Sequence, residues 1–489
     1  MLIDPKEVSD MNRRYMLGIY TAVYAIFYSF CLYKNLGGAT FPFFVIGTLC
    51  YIMLCTKEFG LTWKKDSIFA VVAVTLIGIS QMLTGNTFIR IVNVLLVFLL
   101  LTYIILHQFS YDEKWHILRH FANILSTFFA GIYNIYAPVS DFMKYKNNKN
   151  AEGENKKSFP WYIIVITAVV CIPFLFIVIA MLSSADVVFA NMWKKILDAI
   201  IIEGTWYKPV ILSIFVFFFT YGIVAKLLKF PYSGEASVIK KYNPLIAMTA
   251  GVMFGSVYLI FSVIQIFYLF IGNFSLPNGY SYAQYAREGF FELLFVCALN
   301  LCMVLVGIIL FDDNKKLKVI LSVICGCTYI MTASSAFRMI LYIRYYYFSF
   351  LRILVLWTLF VIFLLLTGLT IQIWKKDFKL FKYGIIVCSV CYIALAFSHI
   401  DAQITRWNLA NSEKSNEFFL APNTYDDYKY LHELSSDAIP ALVKSRILTN
   451  SEIVYFQEIY EDKEINLRNF NLSIYLAKKS LKEANFKSE

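Results

Sequence analysis

The sequence predicts an all-α fold, a polytopic α-helical integral membrane protein with about 11 transmembrane helices and a small helical extracytoplasmic C-terminal domain. Of its 489 residues, 59% are hydrophobic and only 16% are charged, whereas soluble globular proteins contain about 25% charged residues. Apolar stretches of about 18 residues or more, the length a helix needs to cross a bilayer, recur along most of the chain. These two observations argue strongly against a soluble enzyme of this length.

Eleven apolar stretches are long enough to be spans, and polar or charged segments separate them. The predicted spans are 15–33, 38–55, 66–83, 87–109, 160–182, 209–229, 245–272, 289–310, 317–336, 349–373 and 380–397. The predicted domains are an N-terminal four-span section with a cytoplasmic amphipathic helix (1–146), a flexible cytoplasmic linker (147–159), a seven-span core (160–397) and an extracytoplasmic helical tail (398–489).

The distribution of lysine and arginine predicts the orientation of the chain. These residues concentrate in alternate loops, including 144–157 and 375–382, and basic loops remain on the cytoplasmic side of a membrane. We therefore expect the N-terminus inside the cell and the tail outside. Segment 113–143 has apolar residues at helical spacing beside Arg119 and His120, which favours an amphipathic helix on the cytoplasmic surface. A spanning helix there would reverse the orientation of the first half.

Composition also narrows the classes of partner. The net charge of +11 fits contact of cytoplasmic loops with the lipid bilayer and its anionic lipids, and no basic soluble module is present that would bind nucleic acid. The ten cysteines lie in or beside apolar spans, which excludes a disulfide-stabilised ectodomain. No P-loop or metalloprotease motif occurs, so neither a cofactor nor a metal site is predicted.

Four polar clusters interrupt the apolar sequence, and all four fall on the outer side of the predicted topology. They are S-S-A-D at 183–186, Y-A-R-E-G-F-F-E at 285–292, the segment 334–347, and H-I-D-A-Q-I-T-R-W-N-L at 399–409. We expect them to converge on one surface beneath the tail. The candidate site residues are Asp186, Arg287, Glu288, Glu292, Ser335, Arg338, Arg344, His399, Asp401, Arg406 and Asn408.

Arg338 raises two alternatives for this surface. A charge near the hydrocarbon costs about 2.5–3.5 kcal/mol unless it is paired or hydrated, and the predicted partners are the four nearby carboxylates of Glu288, Glu292, Asp186 and Asp401. In the first alternative these ion pairs only hold the outer loops and the tail together. In the second, the planar guanidinium groups of the cluster form an anion-binding pocket, and the acidic neighbours act as a base or hold a cation.

Several of these motifs resemble a known family. The run Y-A-R-E-G-F-F-E-L (285–293), the run S-S-A-F-R-M-I-L-Y-I (334–343), D-A-Q-I-T-R-W-N-L (401–409) and L-S-S-D-A-I-P-A-L (434–442) are similar to those of the domain-of-unknown-function 4153/4173 families of bacterial membrane proteins. The resemblance covers about 160–445. It implies a bacterial plasma-membrane protein of uncharacterised activity and assigns no reaction or catalytic residue.

Three functions remain open from the sequence. The first is recognition of an anionic lipid or other envelope component, or of a protein partner that contacts the C-terminal tail. The second is an enzyme that acts on lipid-linked or cell-wall substrates at the outer leaflet, with Asp186, Glu288 or Asp401 as acid or base. The third is a transporter, which the mostly apolar spans disfavour.

Overall fold

A computed structural model gives the structure of the chain at residues 5–112, 115–150, 181–200, 207–229, 241–267, 290–415, 430–461 and 465–485, with a few isolated positions between 175 and 179. Helices dominate the described residues. They are α1 Pro5–Leu32, α2 Thr40–Glu58, α3 Ile68–Leu83, α4 Thr87–Phe109, α5 Ile117–Tyr133, α6 Ala137–Asn150, α7 Val187–Ile200, α8 Tyr207–Lys229, α9 Pro244–Ile266, α10 Phe290–Leu310, α11 Lys315–Tyr346, α12 Phe350–Trp374, α13 Leu380–Phe397, α14 Ile400–Ser415, α15 Ile439–Ser445, α16 Asn450–Glu461 and α17 Leu472–Asn485.

Ten of the described helices are long and apolar enough to cross a membrane, namely α1–α4 and α8–α13. Each matches one predicted span, so the all-α membrane fold is confirmed. The predicted span 160–182 falls almost wholly outside the described residues. The spans are set by long apolar runs, and polar side chains cap several helix starts: Asn86 Oδ1 accepts from the Ile89 amide at 3.0 Å, and Asn243 Oδ1 accepts from the Leu245 amide at 2.9 Å. Such caps satisfy amide groups that have no partner within the helix.

The spans pack as two groups joined by α13. Helices α1–α4 and α8 form the front group, in which α1 packs against both α2 and α8. Helices α9–α12 form the rear group around the long helix α11. Helix α13 contacts α3 on one side and α12 on the other. Helix α8, which the sequence assigns to the seven-span core, therefore lies beside the first span of the chain.

Segment 113–143 contains a hairpin of two helices rather than the single predicted amphipathic helix. Helix α5 runs along α8, where a Cβ atom on Gly131 would meet the ring of Phe219 at 2.6 Å. Helix α6 returns beside α1, and Asp141 accepts from Arg14 Nη1 at 2.7 Å and from the Tyr221 hydroxyl at 3.2 Å. The hairpin thus packs against the ends of α1 and α8, and we call this end of the bundle the hairpin end.

The C-terminal segment packs at the opposite end, which we call the tail end. Helices α14–α17 enclose a small core of their own that includes Leu431, Leu442, Phe456 and Leu481. Helix α17 also contacts α3. The prediction of a helical C-terminal region thus agrees with its described part.

Candidate functional site

Two short loops of the front group carry the C-terminal segment at the tail end. Asn35 Nδ2 donates to the Arg468 carbonyl at 2.6 Å, and the Arg468 guanidinium donates to the Tyr33 carbonyl. Asn471 Nδ2 bridges the two loops, since it lies 3.2 Å from the Gly37 carbonyl and 3.1 Å from the Thr84 carbonyl. The segment between α16 and α17 is therefore bound by backbone and amide groups of the first two tail-end loops.

Asp437 lies at the centre of a second set of contacts. Its Oδ2 accepts from the Thr84 hydroxyl at 2.7 Å, and its Oδ1 accepts from the Gly85 amide at 3.2 Å. The same Oδ1 lies 3.5 Å from Nδ1 of His399. Only 8% of Asp437 is exposed. A buried carboxylate needs such donors to remain ionised, and these donors come from a membrane-section loop and from the residue before α14.

Asp401 lies in the same region and binds different groups. Its Oδ2 accepts from Asn86 Nδ2 at 2.9 Å and from the Ser435 amide at 3.3 Å. Its Oδ1 is buried and has no hydrogen-bond partner within the part of the chain that the structure describes. Burial raises the pKa of Asp401, and the hydrogen bonds from Ser435 and Asn86 only partly oppose this effect. Two of the predicted site residues, His399 and Asp401, thus belong to one polar region. Asp437 joins them there only because of the fold.

A cavity of about 300 Å³ opens beside this region. His399 and Arg406 from the start of α14 line it, together with Asp437 and the hydroxyl-bearing Ser436 and Ser473. Arg406 is exposed, and its positive charge lowers the pKa of His399 against the raising effect of Asp437, so the guanidinium and the imidazole are close. The cavity therefore combines two nitrogen donors with serine hydroxyls, a set that suits an anionic group.

His399 adopts a backbone conformation that non-glycine residues rarely occupy. Its φ angle is +46°, in the left-handed region, where such a residue costs of the order of 1 kcal/mol. Side chains held in this way cluster at functional sites. Here the conformation accompanies the contact of the imidazole with Asp437 at the edge of the cavity.

The contact between His399 and Asp437 predicts a pH window for docking of the C-terminal segment. The interaction with Asp437 raises the pKa of His399 against the opposing effect of burial. Burial opposes ionisation of Asp437, but the hydrogen bonds from His399, Ser473 and Thr84 outweigh it and hold its pKa below the ordinary value. The contribution of His399 is complete below its unfolded pKa of about 6.5 and is lost as the pH rises through the higher folded value. That of Asp437 is complete above its unfolded pKa of about 3.9 and is lost as the pH falls through the lower folded value.

We therefore expect the segment after 430 to become more sensitive to protease as the pH rises above about 6.5. Limited proteolysis of the purified protein at several pH values measures this. The variant His399→Asn provides the control, because asparagine tolerates the left-handed region and does not titrate. An equal pH response in that variant would show that His399 is not the responsible group.

Ser335 and Arg338 lie in a different polar cluster, within the rear group. Arg338 Nη2 donates to Gln265 Oε1 at 3.3 Å, and the Ser334 hydroxyl donates to the same oxygen at 2.7 Å. Arg338 is 9% exposed and Ser335 is fully buried. The contact of Arg338 that the structure describes is thus to an amide oxygen of α9, whereas Asp401, one of its predicted partners, is bound by Asn86 and Ser435.

Asn408 fixes the loop between α11 and α12 to helix α14. Its Oδ1 accepts from the Phe348 amide and its Nδ2 donates to the Phe348 carbonyl, both at 2.9 Å. Arg352 donates to the Tyr347 carbonyl at 2.6 Å, and its guanidinium lies 4.4 Å from the ring centre of Tyr342. These contacts satisfy backbone amide and carbonyl groups of the loop. The described contacts of Asn408 are therefore structural.

The remaining predicted site residues lie apart from the cavity. Asp186 is exposed and caps α7, because its Oδ1 accepts from the Val188 amide at 2.7 Å. Glu292 is exposed in the first turn of α10, and Arg344 is exposed in the last turn of α11. Arg287 and Glu288 lie outside the described residues.

The sequence analysis did not single out polar residues of the short loops between spans, or polar residues inside the spans themselves. Thr84 and Asn86 lie in the short turn between two predicted spans and do not stand in a recognisable motif. Asp437 lies in the family-like run 434–442 but is not among the candidate site residues. Inside the spans, Asn93 binds Gln81 at 3.0 Å and Tyr392 at 2.7 Å, and Asn300 binds Thr328 at 3.0 Å. The spans are thus less uniformly apolar than the sequence suggested. Within the described residues, no group of three His, Cys, Asp or Glu side chains is arranged to hold a metal ion.

Ten helices of spanning length, packed in two groups beneath a helical C-terminal segment, define a polytopic α-helical membrane protein. The chain belongs to the family described as a domain of unknown function (DUF4153), whose model matches residues 70–445. The match begins earlier than the resemblance in the sequence suggested, so it includes α3, α4 and the loop with Thr84 and Asn86. Comparisons with curated proteins and with solved structures found no match.

Proposed function

We propose that this membrane protein recognises an anionic component of the bacterial cell envelope at its tail end, and that the cavity lined by His399 and Arg406 receives the anionic group. The observation that supports the proposal is that the side chains of His399, Arg406, Ser436 and Ser473 line one cavity of about 300 Å³. Charged hydrogen bonds to an anion are about twice as strong as neutral ones. The C-terminal segment forms one wall, so a protein partner that binds this segment would reach the same cavity.

Inorganic phosphate is the probe that tests the pocket. In isothermal titration of the purified protein, we expect Arg406→Gln to weaken phosphate binding by about tenfold or more, because one charged hydrogen bond contributes at least about 1.5 kcal/mol. Arg446→Gln is the matched control, because Arg446 is also exposed in the C-terminal segment but does not line the cavity. Equal affinities for the wild type and Arg406→Gln would contradict the proposal.

The proposed orientation puts the tail end outside the cell, as the charge of the loops favours. We expect a cysteine introduced at the exposed Glu433 to react with a membrane-impermeant maleimide in intact cells. A cysteine at the exposed Lys375, near the hairpin end, should react only after the membrane is opened. If the cysteine at 375 reacts in intact cells and the one at 433 does not, the proposed pocket faces the cytoplasm. An envelope component outside the cell could then not be its ligand.

A second candidate is an enzyme that acts at the outer leaflet, and the contact of His399 with Asp437 favours it. A histidine whose Nδ1 faces a buried carboxylate presents Nε2 as a general base. Of the acidic residues that the sequence suggested for this role, Asp186 caps a helix and Asp401 is bound by Asn86. Conversion of a lipid-linked substrate that depends on His399 but survives in Arg406→Gln would favour the enzyme over simple recognition.

A further inference from the structure

A second cavity lies at the hairpin end, at the opposite end of the spans from the candidate site. It measures about 570 Å³. The end of α4 and the start of α5 line one side, and the end of α10 and the loop between α12 and α13 line the other. One wall is apolar and includes Leu305, Ile308 and Ile309 of α10. The front and rear groups of spans thus enclose a space at the level where a membrane helix ends, which is the level of lipid headgroups.

Three polar side chains line the interior of this cavity and are almost fully buried. His107, Asp112 and His120 are 8%, 5% and 7% exposed. Nδ1 of His107 lies 2.5 Å from Oδ2 of Asp112. The other polar atoms, Nε2 of His107, Oδ1 of Asp112 and Nδ1 of His120, are buried and have no hydrogen-bond partner among the described residues. Each buried polar atom without a partner costs about 1–3 kcal/mol, so three of them in one cavity favour the binding of a polar ligand there.

The hydrogen-bond roles of these atoms define what the ligand must bring. A carboxylate oxygen accepts, so Nδ1 of His107 donates to Asp112. In the tautomer with its single ring proton on Nδ1, Nε2 is left as an acceptor. Oδ1 of Asp112 accepts as well. Burial lowers the pKa of His120 to about 4, which keeps the ring neutral near pH 7, and its stacking on Phe381 at 3.9 Å fixes the ring plane. The interior therefore calls for a ligand with hydroxyl or other hydrogen-bond donors.

The mouth of the cavity has the opposite character. Lys376 and Lys379 line it from the loop between α12 and α13, and Lys382 lines it from the first turn of α13. All three are exposed. Lys382 lies 3.2 Å from Asp66, and Lys376 lies 2.5 Å from Asp313, which leaves Lys379 as the lysine best suited to meet an incoming anion. Such groups bind phosphate as point charges.

We propose that this cavity binds a glycerophosphate group, with its hydroxyls donating to His107 Nε2 and Asp112 Oδ1 and its phosphate at the Lys379 ammonium. The source that the apolar α10 wall favours is a lipid, because acyl chains would pack along Ile308 and Ile309. The site is independent of the anion pocket at the tail end and shares no residue with it.

Native mass spectrometry of the full chain, with phosphatidylglycerol and phosphatidylcholine of identical acyl chains, tests this proposal. Both lipids carry the phosphate, but the choline headgroup has no hydrogen-bond donor. We expect phosphatidylglycerol to be retained about tenfold more strongly. The variant Lys379→Gln should reduce this retention about fivefold, as the loss of one exposed ion pair predicts.

Lys375→Gln is the matched control, because Lys375 lies in the same exposed loop but does not line the cavity. Equal retention of the two lipids, or an equal loss in Lys375→Gln and Lys379→Gln, would overturn the proposal. Titration of lipid-depleted protein with glycerol 3-phosphate distinguishes the source. Binding that Lys379→Gln weakens, without retention of phosphatidylglycerol, would retain the glycerophosphate chemistry and assign it to a soluble ligand.

Discussion

Replacing Asp437 with alanine is expected to release the C-terminal segment from the tail end of the membrane bundle. The substitution leaves the Thr84 hydroxyl and the Gly85 amide without their acceptor and removes the carboxylate that faces His399. Each buried donor left unsatisfied costs about 1–3 kcal/mol, so we expect a loss of about 3 kcal/mol in docking free energy.

Limited proteolysis of the protein in detergent measures this effect as the rate at which the segment after 430 is cleaved. Glu433→Ala is the matched control, because Glu433 is an exposed carboxylate four residues earlier and should leave the rate unchanged. The variant Asp437→Asn distinguishes the loss of the negative charge from the loss of the side chain itself. It keeps one acceptor oxygen for Thr84 or Gly85, so it should fall between the wild type and Asp437→Ala. Cleavage of Asp437→Ala at the wild-type rate would contradict the assigned role.

The sequence predicts the spans well because their signal is local. A run of about 20 apolar residues must form a helix in lipid, whatever its neighbours are. The packing of the spans against one another has no such local signal. Nothing in 209–229 indicates that α8 lies against α1, because that contact depends on side chains that are distant in the chain. The pairing of Ser29 with the Pro209 carbonyl at 2.7 Å is visible only in the fold.

The candidate site illustrates the same limit. The polar character of His399, Asp401 and Arg406 was visible as an interruption of the apolar sequence, and the fold brings the first two to one region. Their partners Thr84, Asn86 and Asp437 come from a three-residue turn and from the tail, more than 300 residues apart. One acceptor of Arg338 is the amide oxygen of Gln265, a residue that the sequence did not suggest as its partner.

Gly38→Ala is expected to weaken the docked segment almost as much as Asp437→Ala, through a different contact. A Cβ atom at Gly38 would lie 2.4 Å from the Arg468 carbonyl oxygen, a backbone atom that is also the acceptor for Asn35. The backbone must shift, and overpacking of this kind costs about 1–3 kcal/mol. Gly37→Ala is the control, because the group in its way is the end of the flexible Arg90 side chain, which can turn aside. A faster cleavage after 430 in Gly38→Ala than in Gly37→Ala is the expected result.

The double variant Gly38→Ala/Asp437→Ala then decides how the segment is held. Asn471 joins the two loops by binding the Gly37 and Thr84 carbonyls, and the hydroxyl groups of Ser436 and Ser473 lie 2.7 Å apart. If these contacts make the segment one docked body, either substitution releases it and the double variant loses less docking free energy than the sum of the single variants. Additive losses would mean that the two ends of the segment dock independently. In that case the wall of the cavity formed by Ser473 could open while His399 and Asp437 remain in place.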